Sequence, residues 1–182
     1  MMETTDQELV ARCLGGDPDA FEALVDRHQK TIYNAVLRMV RDPDDAEDIT
    51  QNVFVKAYEH LASYKPGHKF FSWIYRMAMN ETLNFLKSRK RLERLGNPET
   101  ASSEKTPDQA AEEDALREDM GEVLMRLDVS HRAVVVLKHF HDLSYEEIAY
   151  VLDLPERLVK SRLFTARQQL KELLTAKGWG PS

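Results

Sequence analysis

Apolar residues recur at helical spacing along most of this 182-residue chain, and no segment shows the strict alternation of a half-buried strand. Two Asp-Pro-Asp sequences, at 17–19 and 42–44, predict helix starts, because an acidic N-cap followed by proline suits the first turn. Seven glycines and seven prolines are few for a turn-rich β-sandwich. The sequence therefore predicts an all-α fold.

The first half of the chain predicts a small helical bundle. Two helices follow the Asp-Pro-Asp starts, and their apolar positions are Phe21, Leu24, Val25, Ile32, Val36 and Val40, then Ile49, Val53, Ala57 and Leu61. A third helix is predicted from about Phe70 to Arg94, with Gly96 as its C-cap.

A break in this pattern divides the chain. Residues 97–107 lack apolar periodicity and are rich in Pro, Ser and Thr, which is typical of a flexible linker. The acidic continuation predicts a helix start, with Thr106 as N-cap and Pro107 in the first turn. We predict two small helical domains, 1–96 and 120–182, joined by a flexible acidic linker at 97–119.

Charge is segregated along the chain. The net charge of −6 combines −7 over residues 1–60, +6 over 61–96, −6 over 97–119 and +1 over 120–182. A basic block between acidic ones favours a polyanionic partner, because attraction to phosphates acts over about 8–10 Å. The alternative is a charged helix face that is merely solvated.

The second domain has the pattern of a helix-turn-helix. Ser144 and Glu147 match a capping box, Asp153 lies in the following turn, and Pro155 favours the next helix start. The last helix has a predicted buried stripe of Val159, Leu163, Ala166, Leu170 and Leu174. In such a motif the second helix enters the major groove. A purely structural three-helix domain is the alternative.

The face opposite that stripe carries cationic and hydrogen-bonding groups, which suit phosphates and base edges. It comprises Arg157, Lys160, Ser161, Phe164, Thr165 and Gln168. An outward Phe164 is explained by contact with a thymine methyl or a sugar, and equally by packing on a neighbouring helix.

The basic block of the first domain interleaves aromatic and cationic residues. They are Tyr64, Phe70, Phe71, Trp73, Tyr75 and Phe85, with Lys65, Lys69, Arg76, Lys87, Arg89, Lys90 and Arg91. Aromatic surface suits unpaired strands, where each stacked base contributes ~1–3 kcal/mol. Asn80 and Asn84 lie one helical turn apart and could hydrogen-bond an unstacked base. Core packing is the alternative for the aromatics, and the favoured one for Phe71 and Trp73.

These segments resemble an extracytoplasmic-function (ECF, group IV) sigma factor of the sigma-70 family. Residues 45–58, DAEDITQNVFVKAY, are similar to the family's regions 2.1–2.2, and residues 70–80, FFSWIYRMAMN, to regions 2.3–2.4. Residues 143–149, LSYEEIA, and 159–167, VKSRLFTAR, are similar to region 4.2. The resemblance covers nearly the whole chain.

The resemblance implies a division of labour between region 2 (1–96) and region 4 (120–182). Region 2 is expected to dock on the β′ clamp helices of core RNA polymerase through Asp48, Gln51, Asn52 and Phe54. It is expected to melt and read the −10 promoter element through Tyr64, Lys65, Lys69, Phe70, Phe71, Trp73, Arg76, Asn80, Asn84 and Lys87. Region 4 is expected to touch the β flap and to read the −35 element as duplex through Tyr145, Arg157, Lys160, Ser161, Arg162, Phe164, Thr165 and Arg167.

Three departures from the family pattern bear on which −35 sequence is read. The family's last helix often begins Pro-x-Gly-Thr-Val, whereas this chain has PERLV at 155–159. Thr165 stands where arginine is common. Asp153 stands where glycine is frequent, and aspartate enters the left-handed region more readily than most residues.

The implied partners are core RNA polymerase, promoter DNA and an anti-sigma factor, and no cofactor is implied. The longest apolar run, Ala133 to Leu137, is far below the ~18 residues of a membrane span, and Met1 to Glu8 is polar. We therefore expect no direct membrane insertion, no secretory signal and a cytoplasmic location. The single Cys13 excludes an internal disulfide and a thiolate metal cluster.

Two other functions remain open. The first is a stand-alone helix-turn-helix regulator that acts without polymerase, which predicts a dimer and tight duplex binding by the isolated protein. The second is a helical metal hydrolase, suggested by the acids between Asp42 and Asp48 and by His139 and His141. Ligands on a helix converge at spacings of three or four, so two histidines two residues apart disfavour it. We predict no enzyme activity.

Overall fold

The computed structural model describes residues 4–96 and 112–179, with side chains from residue 118 onward in the second range. Within these ranges the fold is all-α and contains no strand, which confirms the predicted fold class. The helices are α1 Asp6–Leu14, α2 Pro18–Val40, α3 Pro43–Glu59, α4 Phe70–Arg94, α5 Glu112–Met125, α6 Val129–Val135, α7 Tyr145–Leu152 and α8 Glu156–Ala176.

The predicted caps form as hydrogen bonds. The Asp17 carboxylate accepts from the amide of Asp19 at 3.1 Å, and Asp42 accepts from the amides of Asp44 and Asp45 at 2.9 and 3.0 Å. Helices α2 and α3 therefore begin where their acidic caps predict.

Helix α4 has the predicted bounds, but its C-cap differs from the prediction by one residue. Leu95 closes the helix, and Gly96 follows it in the left-handed region at φ 74°. Glycine adopts this conformation without a Cβ penalty, which explains its place at the exit.

Helix α1 was not predicted. It starts at a capping box in which the Thr5 hydroxyl accepts from the Glu8 amide and the Glu8 carboxylate accepts from the Thr5 amide. The sequence signal, a threonine three residues before a glutamate, was present. The helix buries Leu9 and Val10 and packs on α2.

Residues 112–119 of the predicted flexible linker are helical, because they form the start of α5. The helix predicted for the acidic continuation therefore includes these residues, within the range assigned to the linker. The predicted helix start at Thr106 and Pro107 lies outside the described residues.

The two helical groups pack on each other. One apolar cluster includes core residues of α2 to α4 together with Val134, Leu137, Ile148 and Leu163 of the second group. Helix α4 contacts α7, and α2 contacts α5, α6 and the turn that follows α6. The N-terminal helices α1–α4 and the C-terminal helices α5–α8 therefore meet in a shared apolar interface, which we call the domain contact.

A buried arginine fastens the domain contact. Arg132, at 4% exposure, donates to the carbonyls of Leu124, Met125 and Leu127 at 3.0 to 3.2 Å. It also donates to the carbonyl of Met39, at the end of α2, at 2.5 Å. One guanidinium thus satisfies carbonyls at two helix ends, one from each helical group.

A π-helical turn at Val136–Phe140 follows α6 and leads into the helix-turn-helix. It places the imidazole of His141 beside α4, where His141 Nδ1 lies 2.7 Å from the hydroxyl oxygen of Tyr75. Burial, with the nearby Arg38 charge, lowers the pKa of His141 to about 4. In the described part of the chain, no helix is both long and apolar enough to cross a membrane.

Candidate nucleic-acid interface

The helix-turn-helix forms from the predicted cap and turn. The Ser144 hydroxyl accepts from the amide of Glu147 at 3.1 Å, and the Glu147 carboxylate accepts from the amide of Ser144 at 2.9 Å. Asp153 adopts φ 54°, ψ 50°, the left-handed conformation predicted for the turn. The next helix, α8, begins directly after Pro155. These local signals fix where α8 points relative to α7.

Helix α8 buries Val159, Leu163 and Ala166 and exposes its opposite face. The exposed members of the predicted −35 set, which we call the α8 face, are Arg157, Lys160, Ser161, Phe164, Thr165 and Arg167, and Gln168 is exposed beside them. Phe164 is 66% exposed, so packing on a neighbouring helix does not explain its outward ring. Arg162 is half-buried.

Cationic groups on and beside the α8 face have partners within the protein. The Glu156 carboxylate lies 2.7 Å from Lys160 Nζ, and this hydrogen bond raises the pKa of Lys160. The half-buried ring of Tyr145 lies under two ammonium groups, those of Lys138 and Lys160, at 5.3 and 5.4 Å. Arg167 Nε donates to Nε2 of His139 at 3.3 Å, and burial lowers the pKa of His139 so that the ring accepts as a neutral group.

On α4 the predicted −10 residues recur in steps of three and four, which places them on one helix face. This α4 stripe consists of Lys69, Trp73, Arg76, Asn80, Asn84 and Lys87. Asn80, Asn84 and Lys87 are exposed. The stripe therefore presents amides and an ammonium group to solvent along its C-terminal half.

The N-terminal half of the α4 stripe contacts the helix-turn-helix instead. Lys69 Nζ lies 3.0 Å from the Glu147 carboxylate, and Arg76 Nη1 donates to the carbonyl of Tyr150 at 2.8 Å. Lys65 is exposed in the preceding loop. The structure thus brings the predicted −10 residues together but places part of them in the domain contact.

Three aromatic site residues are buried, which corrects the expectation that they form a contact surface. Tyr64, Phe70 and Phe54 are 8%, 2% and 7% exposed, because their rings fill the core of the N-terminal bundle. The Tyr64 hydroxyl donates to the carbonyl of His68 at 2.7 Å. This hydrogen bond holds the loop before α4 against the core.

Phe71 and Trp73 are half-buried. The Phe71 ring meets the ring of Tyr75 edge-on at 4.9 Å, whereas the Trp73 ring packs at 5.7 Å from both Tyr64 and Phe70. Core packing, the favoured alternative for these two rings, therefore accounts for much of their surface.

The predicted polymerase-binding residues Asp48, Gln51 and Asn52 are exposed on α3. Of the three, Gln51 lines an open groove between α2 and α3, together with Gln29, Lys30, Tyr33, Glu47 and Thr50. Phe54 sits behind this surface as a core residue.

Acids of α3 have structural partners. Asp42 caps the helix, and Asp45 lies 3.2 Å from Arg89. Among the described residues, no group of three or more His, Cys, Asp or Glu side chains could hold a metal ion. The metal hydrolase alternative therefore has no site among them.

Comparison with known proteins supplies the family. The model of Sigma-70 region 2 matches residues 24–92, and that of Sigma-70 region 4 matches residues 117–170. The RNA polymerase sigma-H factor of Pseudomonas aeruginosa is 31% identical, over 96% of both chains. The ECF RNA polymerase sigma-E factor of Escherichia coli K12 is 32% identical, over 92% of this chain and 93% of that one.

The chain belongs to the ECF group of the sigma-70 family. Sigma factors direct promoter-specific transcription initiation by RNA polymerase and are not enzymes, and this is the function of the chain. The resemblance in the motifs is thereby confirmed.

Solved structures agree with this assignment. CnrH, solved in complex with the cytosolic domain of CnrY, superposes with a TM-score of 0.72 at 29% identity, over 94% of this chain and 97% of CnrH. The sigma factor RpoE of Bartonella quintana, solved in complex with the anti-sigma factor NepR, has the same fold, with a TM-score of 0.71 at 24% identity over 85% and 96% of the two chains.

Sequence reasoning missed four residues that shape this sigma factor's interface. His68 and Tyr150 stack on each other, Arg132 bridges two helix ends, and His141 bonds to Tyr75. Each acts through a partner at least 66 residues away or through a turn whose form no local pattern indicates. A sequence of one chain carries no signal for such pairs.

Proposed function

We propose that the N-terminal domain, residues 1–96, melts and reads the −10 element and that the C-terminal domain, residues 120–182, reads the −35 element as duplex. The observation that carries this division is the contrast between two surfaces of one chain. The α8 face is exposed, cationic and built on a helix-turn-helix, which suits the major groove. The α4 stripe joins amides, cations and a supporting aromatic cluster, which suits an unpaired strand.

The proposal assigns a role to each surface. Asn80 and Asn84 hydrogen-bond an unstacked base, while Lys65, Lys69, Arg76 and Lys87 hold the strand's phosphates. On α8, Lys160 and Arg157 contact phosphates, and Phe164 contacts a thymine methyl or a sugar. Tyr64 and Phe70 hold the loop in shape from the core.

The partners follow from the family and from exposure. Core RNA polymerase docks through its β′ clamp helices on the α3 surface around Asp48, Gln51 and Asn52, and its β flap contacts the C-terminal domain. An anti-sigma factor is a further partner, which the solved complexes of CnrH with CnrY and of RpoE with NepR support. Transcription places the working protein in the cytoplasm.

The direct test is run-off transcription with purified core RNA polymerase on a genomic promoter library. Addition of the protein is expected to start transcripts at a subset of promoters that share a −10 and a −35 sequence. A matched reaction with an Asp48, Gln51 and Asn52 triple alanine variant is expected to lose these transcripts, because docking fails. Transcripts that do not depend on the protein, or a triple variant with full activity, would contradict the proposal.

A further inference from the structure

The loop that precedes α4 is covered by a ring from the other domain. The imidazole of His68 and the phenol of Tyr150 stack with centroids 3.8 Å apart and planes 18° apart. His68 lies in the loop before α4, and Tyr150 lies on α7 of the helix-turn-helix. This stack joins the proposed strand-reading loop directly to the C-terminal domain.

The stack has the geometry with which proteins hold an unpaired base. Unstacked bases lie flat on aromatic side chains and on arginine guanidinium planes. Both kinds of group touch the Tyr150 ring, because Arg76 Cζ lies 5.1 Å from its centroid. The planar ring that His68 and Arg76 both contact therefore belongs to the protein itself.

Two carboxylates, one on α7 and one in the turn that follows it, pair with cations of the α4 stripe. The Glu147 carboxylate lies 3.0 Å from Lys69 Nζ, and the Asp153 carboxylate lies 3.4 Å from Arg76 Nη2. A nucleic acid strand would offer a ring and flanking negative charges to the same groups. Helix α7 and the turn that follows it offer a phenol ring and two carboxylates.

We propose that α7 is an intramolecular mimic of single-stranded DNA, with Tyr150 in a base slot formed by His68 and Arg76. The inference rests on the proposed function of the α4 stripe and adds His68 as a base-stacking residue. In the closed protein α7 competes with the unpaired strand, and separation of the domains frees the slot. The α3 surface around Asp48 stays exposed, so polymerase docking is not blocked by this contact.

The test uses the full-length protein without polymerase and a fluorescein-labelled pool of single-stranded oligonucleotides of mixed sequence. Fluorescence anisotropy at one fixed ionic strength gives the dissociation constant. Tyr150→Ala is expected to bind at least about fivefold more tightly than the unmodified protein, since the vacated slot accepts a base. The double variant Tyr150→Ala, His68→Ala is expected to lose that gain.

Two further variants keep the test decisive if Tyr150→Ala disturbs α7. Asp153→Asn removes the charge opposite Arg76 while keeping the left-handed turn, because asparagine tolerates that conformation. It is expected to strengthen strand binding by a smaller factor. Tyr58→Ala removes an exposed ring that packs on Phe21 within the N-terminal bundle, and it is expected to leave strand binding unchanged. Far-UV circular dichroism confirms that each variant keeps its helices.

Unchanged strand binding in both Tyr150→Ala and Asp153→Asn would overturn the inference. A gain that persists after His68→Ala would overturn the base slot. Run-off transcription with core polymerase separates these failures from failure of the proposed function, because the unmodified protein must still start promoter-specific transcripts.

Discussion

The two surfaces proposed to read DNA differ in how the free protein presents them. The α8 face is open to solvent, and Phe164 keeps 66% of its surface exposed there. The N-terminal half of the α4 stripe contacts α7: Lys69, whose side chain stays 75% exposed, pairs with Glu147, and Arg76 donates to the carbonyl of Tyr150. Intact duplex is always available to a DNA-binding protein, whereas an unpaired strand exists only once a promoter opens. A strand-reading surface that is partly engaged by α7 and a groove-reading surface without such contacts match that difference.

The largest effect on stability is expected from Arg132→Met, which removes the hydrogen bonds of this guanidinium across the domain contact. Four carbonyls lose a donor, and each buried unsatisfied group costs about 1–3 kcal/mol. We expect the free energy of unfolding in urea to fall by about 3 kcal/mol or more.

Arg126→Met is the matched control, since this arginine lies on the exposed surface near the end of α5. It is expected to change stability by less than about 0.5 kcal/mol. Equal losses from both substitutions would show that the bridging hydrogen bonds of Arg132 contribute nothing specific.

The next largest effect is expected from Asn80→Ala, which tests the exposed half of the α4 stripe. Loss of an amide that hydrogen-bonds one base costs about 1–3 kcal/mol, so promoter opening should slow by roughly fivefold or more. Stopped-flow fluorescence of a base analogue in the −10 element measures this rate. Affinity for core polymerase should stay unchanged, and a parallel loss of both would refute the assignment.

A smaller effect is expected from Lys160→Ala on the α8 face. If this ammonium group contacts a phosphate, promoter binding by the holoenzyme weakens, and the slope of log affinity against log salt falls by about 0.9. Lys171→Ala, further along the same helix, serves as control because it lies outside the predicted set. The same slope change in both variants would mean that the effect reflects net charge alone.

A pH-dependent effect is expected from acidification, through His141 in the domain contact. Its pKa in the folded protein is about 4, against about 6.5 when exposed, so its contribution to stability is complete above pH 6.5 and is lost as pH falls towards 4. The pH dependence of the unfolding free energy between pH 7 and 5 should be shallower in His141→Gln than in the unmodified protein. Identical slopes in the unmodified protein and in His141→Gln would contradict the lowered pKa of His141.

Local signals in the sequence predicted the helices well. Acidic caps before Pro18 and Pro43, the box of Ser144 and Glu147, and the left-handed Asp153 act through groups within a few residues, and all formed. The exposure of Phe164 and Lys160 also followed from helical spacing alone. Such features depend on the backbone nearby and not on the rest of the fold.

What the sequence could not predict depends on distant partners. The burial of Arg132 depends on the carbonyl of Met39, which lies 93 residues away in sequence, and no local pattern indicates it. The sequence predicts Phe70 and Tyr64 as part of an aromatic contact surface. Both rings are buried in the core of the N-terminal bundle instead, because large aromatic side chains stabilise a small core. The sequence predicts two domains joined by a linker but carries no signal that they share one apolar cluster.

The most direct test of the closed arrangement is zero-length carbodiimide cross-linking, read by mass spectrometry. Lys69 and Glu147 lie 3.0 Å apart across the domain contact, while Lys56 and Glu81 lie 2.6 Å apart within the N-terminal bundle and serve as the internal standard. In the free protein both pairs should cross-link. With core polymerase and an open promoter, the Lys69–Glu147 product should disappear while the Lys56–Glu81 product remains. A Lys69–Glu147 product that is absent from the free protein, or equally abundant in the open complex, would contradict the account.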